Sequence, residues 1–440
     1  MSTVDQFAVW GGGPLKKSNW SFGAGAVALV VLAGCGDDKA TGPVGQSAFA
    51  RYVSIGTSVS MGIQSDGVYY VTQQHAWPAL LAHQGFGTRF TEPLLRGPGC
   101  YSPLIAPIQF QTRLSDAMYP AVNSNDQICA LLGSDTRPTN NVAIDGATTY
   151  AALRVTPETT AVAPTTVESD QRKRLYKAVL LPKNTQVSEM MAQKPTLVSV
   201  ELGANEVLRA VTGGILLPAT QYRQPDNTFT FYPIALWQPE YDAIVDSVAK
   251  TSAKALLVSV PLIPSLVGVY PGDDFYRQAA AFQSFGVVVN PDCRGNTNLI
   301  YAFGKVLTAL GSPKPFDFSC SDNPAGADFI LTPSDTAFID NLIRQMNAHI
   351  STQAASHSWA YLDLNTSLAS FVALKARFNL SIFLTCPRPF GQYISLDGLH
   401  PTEDGQQVIA NAAAAALNST YGFQIPKNEQ PVLTPIQLCP

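Results

Sequence analysis

The sequence predicts a three-layer α/β/α fold on a mostly parallel sheet, and three observations carry that expectation. Four runs, residues 52–55, 196–200, 255–260 and 359–362, are continuously apolar or nearly so. Such unbroken runs suit strands buried on both faces better than strands with one wet face. Helical spacing fills the intervals, at Trp77 to His83, at Tyr241, Ile244, Val245 and Val248, at Phe338, Leu342, Ile343 and Met346, and from Val408 to Leu417. Strand and helix patterns alternate along one chain with no internal repeat and no sign of a second core, as in a single layered domain with crossover helices.

The N-terminus precedes that domain. Lys16 and Lys17 lead into an apolar stretch, 22–33, too short for a comfortable bilayer span but suited to the core of an export signal. It ends Leu32-Ala33-Gly34-Cys35, which resembles a bacterial lipobox. The resemblance implies removal of residues 1–34 and a lipid on Cys35, with 35–50 as a polar tether. Gly36, rather than Asp, after the cysteine favours the outer membrane within the bacterial cell envelope.

The main domain is expected over 51–420. The first strand leads directly into Gly56-Thr57-Ser58, the second ends near Gly203-Ala204-Asn205, and the fourth ends near Asp363. Thr402 can cap the last helix, with Glu403 and Asp404 in its first turn, where carboxylates oppose the positive helix end. Segments 156–169, rich in Thr and Pro, and 220–239, rich in Pro and Tyr, read as insertions over the functional face. Residues 421–440 read as a Pro-rich tail without helical pattern.

Composition narrows the function. The chain has 440 residues, enough for a large core, and a net charge of -4 with no basic block, which argues against a nucleic-acid partner. Apart from Cys35, six of the seven cysteines remain, an even set suited to an oxidising compartment. None has metal-site spacing. Pairings that close sequence-local stretches without crossing the layered core are Cys100–Cys129, Cys293–Cys320 and Cys386–Cys439.

Polar clusters fall where an open parallel sheet places its sites, beyond the carboxyl ends of the strands. They are Gly56-Thr57-Ser58-Val59-Ser60-Met61-Gly62, Asn141-Val142-Ala143-Ile144-Asp145-Gly146-Ala147, Gly203-Ala204-Asn205-Glu206 and Asp397-Gly398-Leu399-His400-Pro401-Thr402. Each alone is a weak signal. Together and in this order they resemble the four motifs of the SGNH hydrolases, the GDSL esterase/lipase family, over roughly 50–420. Thr57 and Glu206 stand where that family usually has Asp.

The resemblance implies an ester hydrolase with Ser58 as nucleophile, His400 as base and Asp397 as the triad acid. It further implies an oxyanion hole from the Ser58 and Gly146 backbone N–H groups and the Asn205 amide. The chemistry fits the residue types: a serine hydroxyl needs an imidazole to take its proton, and a carboxylate three residues away can hold that imidazole in one tautomer. No cofactor or metal is implied. The expected substrates are lipid esters, short-chain acyl esters or acetylated glycans. No obligate protein partner is evident, and the membrane is reached through the N-terminal lipid. The competing reading is a non-catalytic envelope binding lipoprotein on the same scaffold, supported by Thr57 alone; a periplasmic solute-binding protein would need two similar domains. Ser60, Thr57 and Asp145 are expected to bond locally, and Trp77 either to pack the core or to line an acyl pocket.

Overall fold

The computed structural model describes residues 44–85, 89–118, 129–163, 167–223, 228–323 and 325–439. Residues 1–34, Cys35 and the first part of the expected tether lie outside the described residues. Nine strands occur within them: β1 (Tyr52–Gly56), β2 (Leu197–Glu201), β3 (Lys254–Val258), β4 (Val269–Pro271), β5 (Val287–Val289), β6 (Leu299–Tyr301), β7 (Phe316–Phe318), β8 (Ile330–Leu331) and β9 (Ala360–Leu362).

The central sheet runs β1-β2-β3-β9 with every pair parallel. An extended segment, 140–144, lies along the other edge of β1. There Ser54 N donates to Asn140 O and Val142 N to Ser54 O, both at 2.9 Å, and Ile144 N to Gly56 O at 3.1 Å. Side chains of a strand alternate between faces, and here both faces are dry. Val53, Ile55, Val198, Val200, Ala255 and Leu257 enter one core, with helices Thr149–Arg154, Gln186–Ala192, Ile234–Ala249 and Pro333–Ser356. Tyr52, Leu197, Leu256, Val258, Ala360 and Leu362 enter the other, with Trp77–Gln84, Leu364–Ala373 and Glu403–Tyr421. Two buried faces explain the unbroken apolar runs, and each such side chain withdrawn from water contributes roughly 1.5–3 kcal/mol.

Thr402 caps Glu403–Tyr421, its Oγ1 accepting from Gly405 N at 3.2 Å. Four findings differ from the sequence reading. The chain between β3 and β9 carries two small sheets, an antiparallel β4-β6-β8 and a parallel β5-β7 pair. Their strands of two or three residues are too short to show a period. The second expected insertion ends early, because Ile234–Ala249 is helical through Pro239. The proline lies past the first turn and removes one backbone hydrogen bond, which the buried Trp237, Tyr241, Ile244, Val245 and Val248 face offsets. Gln46–Arg51 forms a 3₁₀ turn with Ala48 and Phe49 buried, so the end of the expected tether belongs to the domain. The tail is not loose either: Phe423 and Ile425 are buried, and Pro435–Leu438 forms a short helical turn.

Disulfides join Cys100 to Cys129, Cys293 to Cys320 and Cys386 to Cys439. The third links the tail to the chain leading into the Asp397 loop. Between them Gln392 acts as a polar spacer: its Nε2 donates to Pro431 O at 2.7 Å, and its Oε1 accepts from Leu433 N at 2.9 Å. Replacing both Cys386 and Cys439 by Ser is expected to cost about 2–4 kcal/mol of unfolding free energy, the usual value of such a loop closure. Denaturant unfolding measures the loss, and hydrogen exchange should rise across 423–439. Unchanged stability with unchanged exchange would show that the bridge does not hold the tail.

Candidate active site

The sheet register aligns three of the candidate residues. Gly56 at the end of β1 lies beside Glu201 at the end of β2, and Ile144 donates to Gly56 from the other side. One step beyond this row the chain turns upward at all three places. Ser58 opens the short helix Ser58–Met61, Gly146 stands two residues past Ile144, and Asn205 opens helix Asn205–Gly213. Asn205 Nδ2 donates to Ala147 O at 2.9 Å, tying the second and third of these turns together. Gly146 is exposed with φ +72°, and a Cβ there would meet nothing within 4 Å, so its backbone faces open space. Backbone in that region favours glycine.

The turn carrying Ser58 is held from below by Glu201. Its carboxylate accepts from Thr57 N at 2.9 Å, Thr57 Oγ1 at 2.8 Å and Ser60 Oγ at 2.9 Å. The expectation that Thr57 and Ser60 bond locally is therefore corrected: both reach across to the neighbouring strand, where the parallel register brings Glu201 beside Gly56. Burial pushes the Glu201 carboxyl up, although these donors oppose the shift. Ser60 Oγ also accepts from Trp77 Nε1 at 3.1 Å, and Trp77 is fully buried, which settles its role as core. Glu206 performs a similar task one turn away. Its Oε1 accepts from Thr149 N at 2.7 Å and Thr149 Oγ1 at 2.8 Å, fastening the chain just past Gly146, and burial pushes its carboxyl up to about 7.

Asp397 and His400 share one tight loop. Asp397 Oδ2 meets His400 Nδ1 at 2.8 Å, while Oδ1 accepts from Leu399 N and His400 N, each at 2.9 Å. Gly398 between them abuts Gly268, where any Cβ would lie 2.4 Å from Gly398 O. Tyr301, at the end of β6, donates its hydroxyl to Asp397 O at 2.8 Å, so the small antiparallel sheet buttresses this loop. Burial alone would raise the Asp397 carboxyl, but the charge of His400, its Nδ1 bond and the two backbone donors hold it at about 2. Burial alone would lower the His400 imidazole, yet Asp397, Asp145 and Asp66 outweigh it and raise the group above its ordinary 6.5.

The loop and the helix that follows it are bound to the Ser58 segment by several hydrogen bonds. Asp66 N donates to Asp397 Oδ2 at 2.7 Å, Ser65 N to Ser395 Oγ at 2.9 Å, and Gln406 Nε2 to Val59 O at 3.0 Å. Among the described residues neither the Ser58 hydroxyl nor His400 Nε2 makes a hydrogen bond.

A cleft of about 610 Å³ opens beside His400. His400, Asp66, Asp145, Arg172, Arg209, Thr212 and Thr230 line it together with the apolar Leu208, Ile215, Leu217, Phe303 and Phe329, whereas Ser58, Gly146 and Asn205 do not. Asp145 does not bond within its own loop: its carboxylate pairs with Arg172 on helix Glu168–Val179 and accepts from the Tyr101 hydroxyl. None of the candidate residues lines the second large cavity, about 480 Å³ beside Glu92 and Arg137. Among the described residues the group nearest to a metal cluster is Asp292, Cys293 and Cys320, and its two sulfurs are joined to each other.

The sequence reading missed Glu201, Asp66, Arg172 and the bonding role of Glu206. Glu201 alone left a signal, an acid closing an otherwise apolar strand. The others act through contacts distant in sequence.

No protein-family model matches the chain, and no curated protein matches it. Among solved structures, it is similar to Axe2, an acetylxylan esterase from Geobacillus stearothermophilus, at 11% identity and a TM-score of 0.34, covering 86% of this chain and 96% of that one. It is similar to an extracellular lipase from Streptomyces rimosus at 16% identity and 0.34, covering 84% and 98%. A third likeness, to TesA, has 13% identity, a TM-score of 0.32 and the same coverage. Likenesses this remote carry no activity across.

Proposed function

We propose that this protein is a serine ester hydrolase of the SGNH, GDSL type, exported and held in the bacterial envelope by a lipid on Cys35. The observation that carries the reading is the convergence at one sheet edge. Ser58, Gly146 and Asn205 stand above adjacent, in-register strand ends, and the Asp397–His400 pair is bonded to the same segment through Asp66.

His400 takes the Ser58 proton at Nε2 as Oγ attacks the ester carbonyl carbon. Asp397 accepts from Nδ1, which fixes the tautomer that leaves Nε2 free to act as base. The carbonyl oxygen becomes an oxyanion, met by the Ser58 and Gly146 N–H groups and by the second amide hydrogen of Asn205, the first being bound to Ala147 O. Each such donor is worth about 3 kcal/mol of barrier. Collapse of the tetrahedral species returns the proton from His400 to the leaving alcohol. Water, deprotonated by the same imidazole, then releases the acyl group from Ser58. The apolar side chains that line part of the cleft beside His400 suit an acyl chain or another apolar portion of an ester.

A panel of p-nitrophenyl esters from acetate to palmitate tests the activity on the domain. Ser58→Ala is expected to abolish turnover and fluorophosphonate labelling with the fold intact by circular dichroism. Asn205→Ala should lower kcat by about a hundredfold or more, the usual loss for one oxyanion donor. A Ser58→Ala protein that turns over near the wild-type rate would overturn the assignment.

The base must be neutral to accept a proton, so kcat/KM should rise with pH along an acid limb. Because the carboxylates around His400 raise its pKa, the midpoint of that limb is expected above 6.5. A midpoint well below 6.5 in the pH–rate profile would contradict the arrangement of Asp397, Asp145 and Asp66 around the base.

Anchoring is tested separately. Several acyl chains on one terminus bind a membrane firmly, at about 0.8 kcal/mol per buried methylene. Cys35→Ala should leave the protein uncleaved or released in soluble form. Mass spectrometry finding an unmodified Cys35 inside a longer mature chain would reject the lipid anchor.

A further inference from the structure

We propose that Arg172 is a positioning residue, a group that links the Asp397–His400 pair directly to the Gly146 loop and holds them in one frame. This rests on the reading of Ser58, His400 and Asp397 as a triad, and it adds a residue, on helix Glu168–Val179, that none of the four motifs contains.

The connections run through both faces of one guanidinium edge. Arg172 Nη2 bonds Asp66 Oδ1 at 2.6 Å, and Nη1 bonds the Asp145 carboxylate and the Tyr101 hydroxyl. Asp66 is the residue whose backbone N–H donates to Asp397 Oδ2, the same oxygen that holds His400 Nδ1. Asp145 is the residue immediately before Gly146. A displacement of Arg172 therefore moves the acid of the triad and the oxyanion loop together. The guanidinium is itself fixed, stacked 3.9 Å from the Tyr101 ring centre and bonded at Nε to Glu168 at 3.0 Å. Arg113 steadies the same corner, donating to Asp66 O at 3.0 Å and to its carboxylate at 2.9 Å. A planar fork can serve two carboxylates at once, whereas an ammonium is a point charge that cannot keep both geometries.

Arg172 also balances charge at the cleft. His400 faces Asp397 from its own loop, Asp66 from the segment after Ser58, and Asp145 from the Gly146 loop. Arg172 and Glu168 approach from helix Glu168–Val179, Arg113 from the Asp66 side, and the phenols of Tyr101 and Tyr301 complete the surround. Asp145 is only 7% exposed at its side chain, so without Arg172 its charge would face His400 with little water to screen it. A cation removed from this surround raises the imidazole pKa, and an anion removed lowers it.

Opposite signs make the test. The probes are the full protein labelled with ¹³C-histidine, with the His400 signal assigned by its loss in His400→Gln, and steady-state turnover of p-nitrophenyl acetate. Arg172→Gln is expected to raise the His400 midpoint by about half a pH unit or more. It should also lower kcat by about tenfold or more with less change in KM, as misalignment does. Asp145→Asn should lower the midpoint. Arg172→Lys should leave the midpoint near wild type yet still lower kcat, because charge is kept and the fork is lost. Should Arg172→Gln fail to fold, the lysine and Asp145→Asn variants carry the decision. Midpoints that move the same way in Arg172→Gln and Asp145→Asn, or a lysine variant with wild-type kcat, overturn the proposal. Failure of the wild-type protein to turn over any ester would strike the proposed activity instead, while the NMR shifts would still decide whether Arg172 sets the state of His400.

Discussion

A buried carboxylate that must stay charged organises this molecule. Asp397 is 2% exposed, and a charge so far from water persists only where donors replace the hydration it has lost. Its own loop supplies two backbone N–H groups and the imidazole. The Ser395 hydroxyl adds a donor at 3.3 Å, and Asp66 N adds another from a segment more than three hundred residues earlier. Satisfying one carboxylate thus forces the beginning and the end of the domain together. The loop shape follows from the same demand: Gly398 takes a left-handed turn between Asp397 and His400, and Gly268 must lack a side chain to let that turn approach.

Glu201 imposes the matching constraint beneath Ser58. The turn at Ser58 is a helix of only four residues, which has little stability of its own. Thr57 N, Thr57 Oγ1, Ser60 N and Ser60 Oγ all donate to one carboxylate on the adjacent strand and hold that turn. Thr57 fits this arrangement because it offers both a backbone and a side-chain donor to Glu201. An acid at position 57 would instead set two carboxylates against each other in a buried space.

Much of the architecture was legible because its physics is local or periodic. Runs buried on both faces identify β1, β2, β3 and β9, and Thr402 marks the last helix through a capping pattern readable within one turn. The motifs placed Ser58, Gly146, Asn205, Asp397 and His400 beyond strand ends, and the structure brings these residues to one edge or bonds them to it. Illegible parts are of two kinds. Strands β4 to β8 have too few residues for any period to emerge. Glu201, Asp66 and Arg172 work through partners fixed only by sheet register and tertiary packing, and a single sequence does not encode those distances in any local pattern. Pro239 misled for a third reason, since a proline usually signals a break and here lies inside a helix that continues past it.

The cleft beside His400 is lined by two kinds of group. Asp66, Asp145, Arg172 and His400 are each fixed by ion pairs or hydrogen bonds. Leu208, Ile215, Leu217, Phe303 and Phe329 come from helix Asn205–Gly213, its trailing loop, helix Ala302–Gly311 and the residue before β8. A change of size among these five apolar side chains leaves the polar contacts of the cleft in place. Loss of Asp66, Asp145, Arg172 or His400 instead strips a partner from a buried or half-buried charge, so the same pocket tolerates reshaping on one set of residues and resists it on the other.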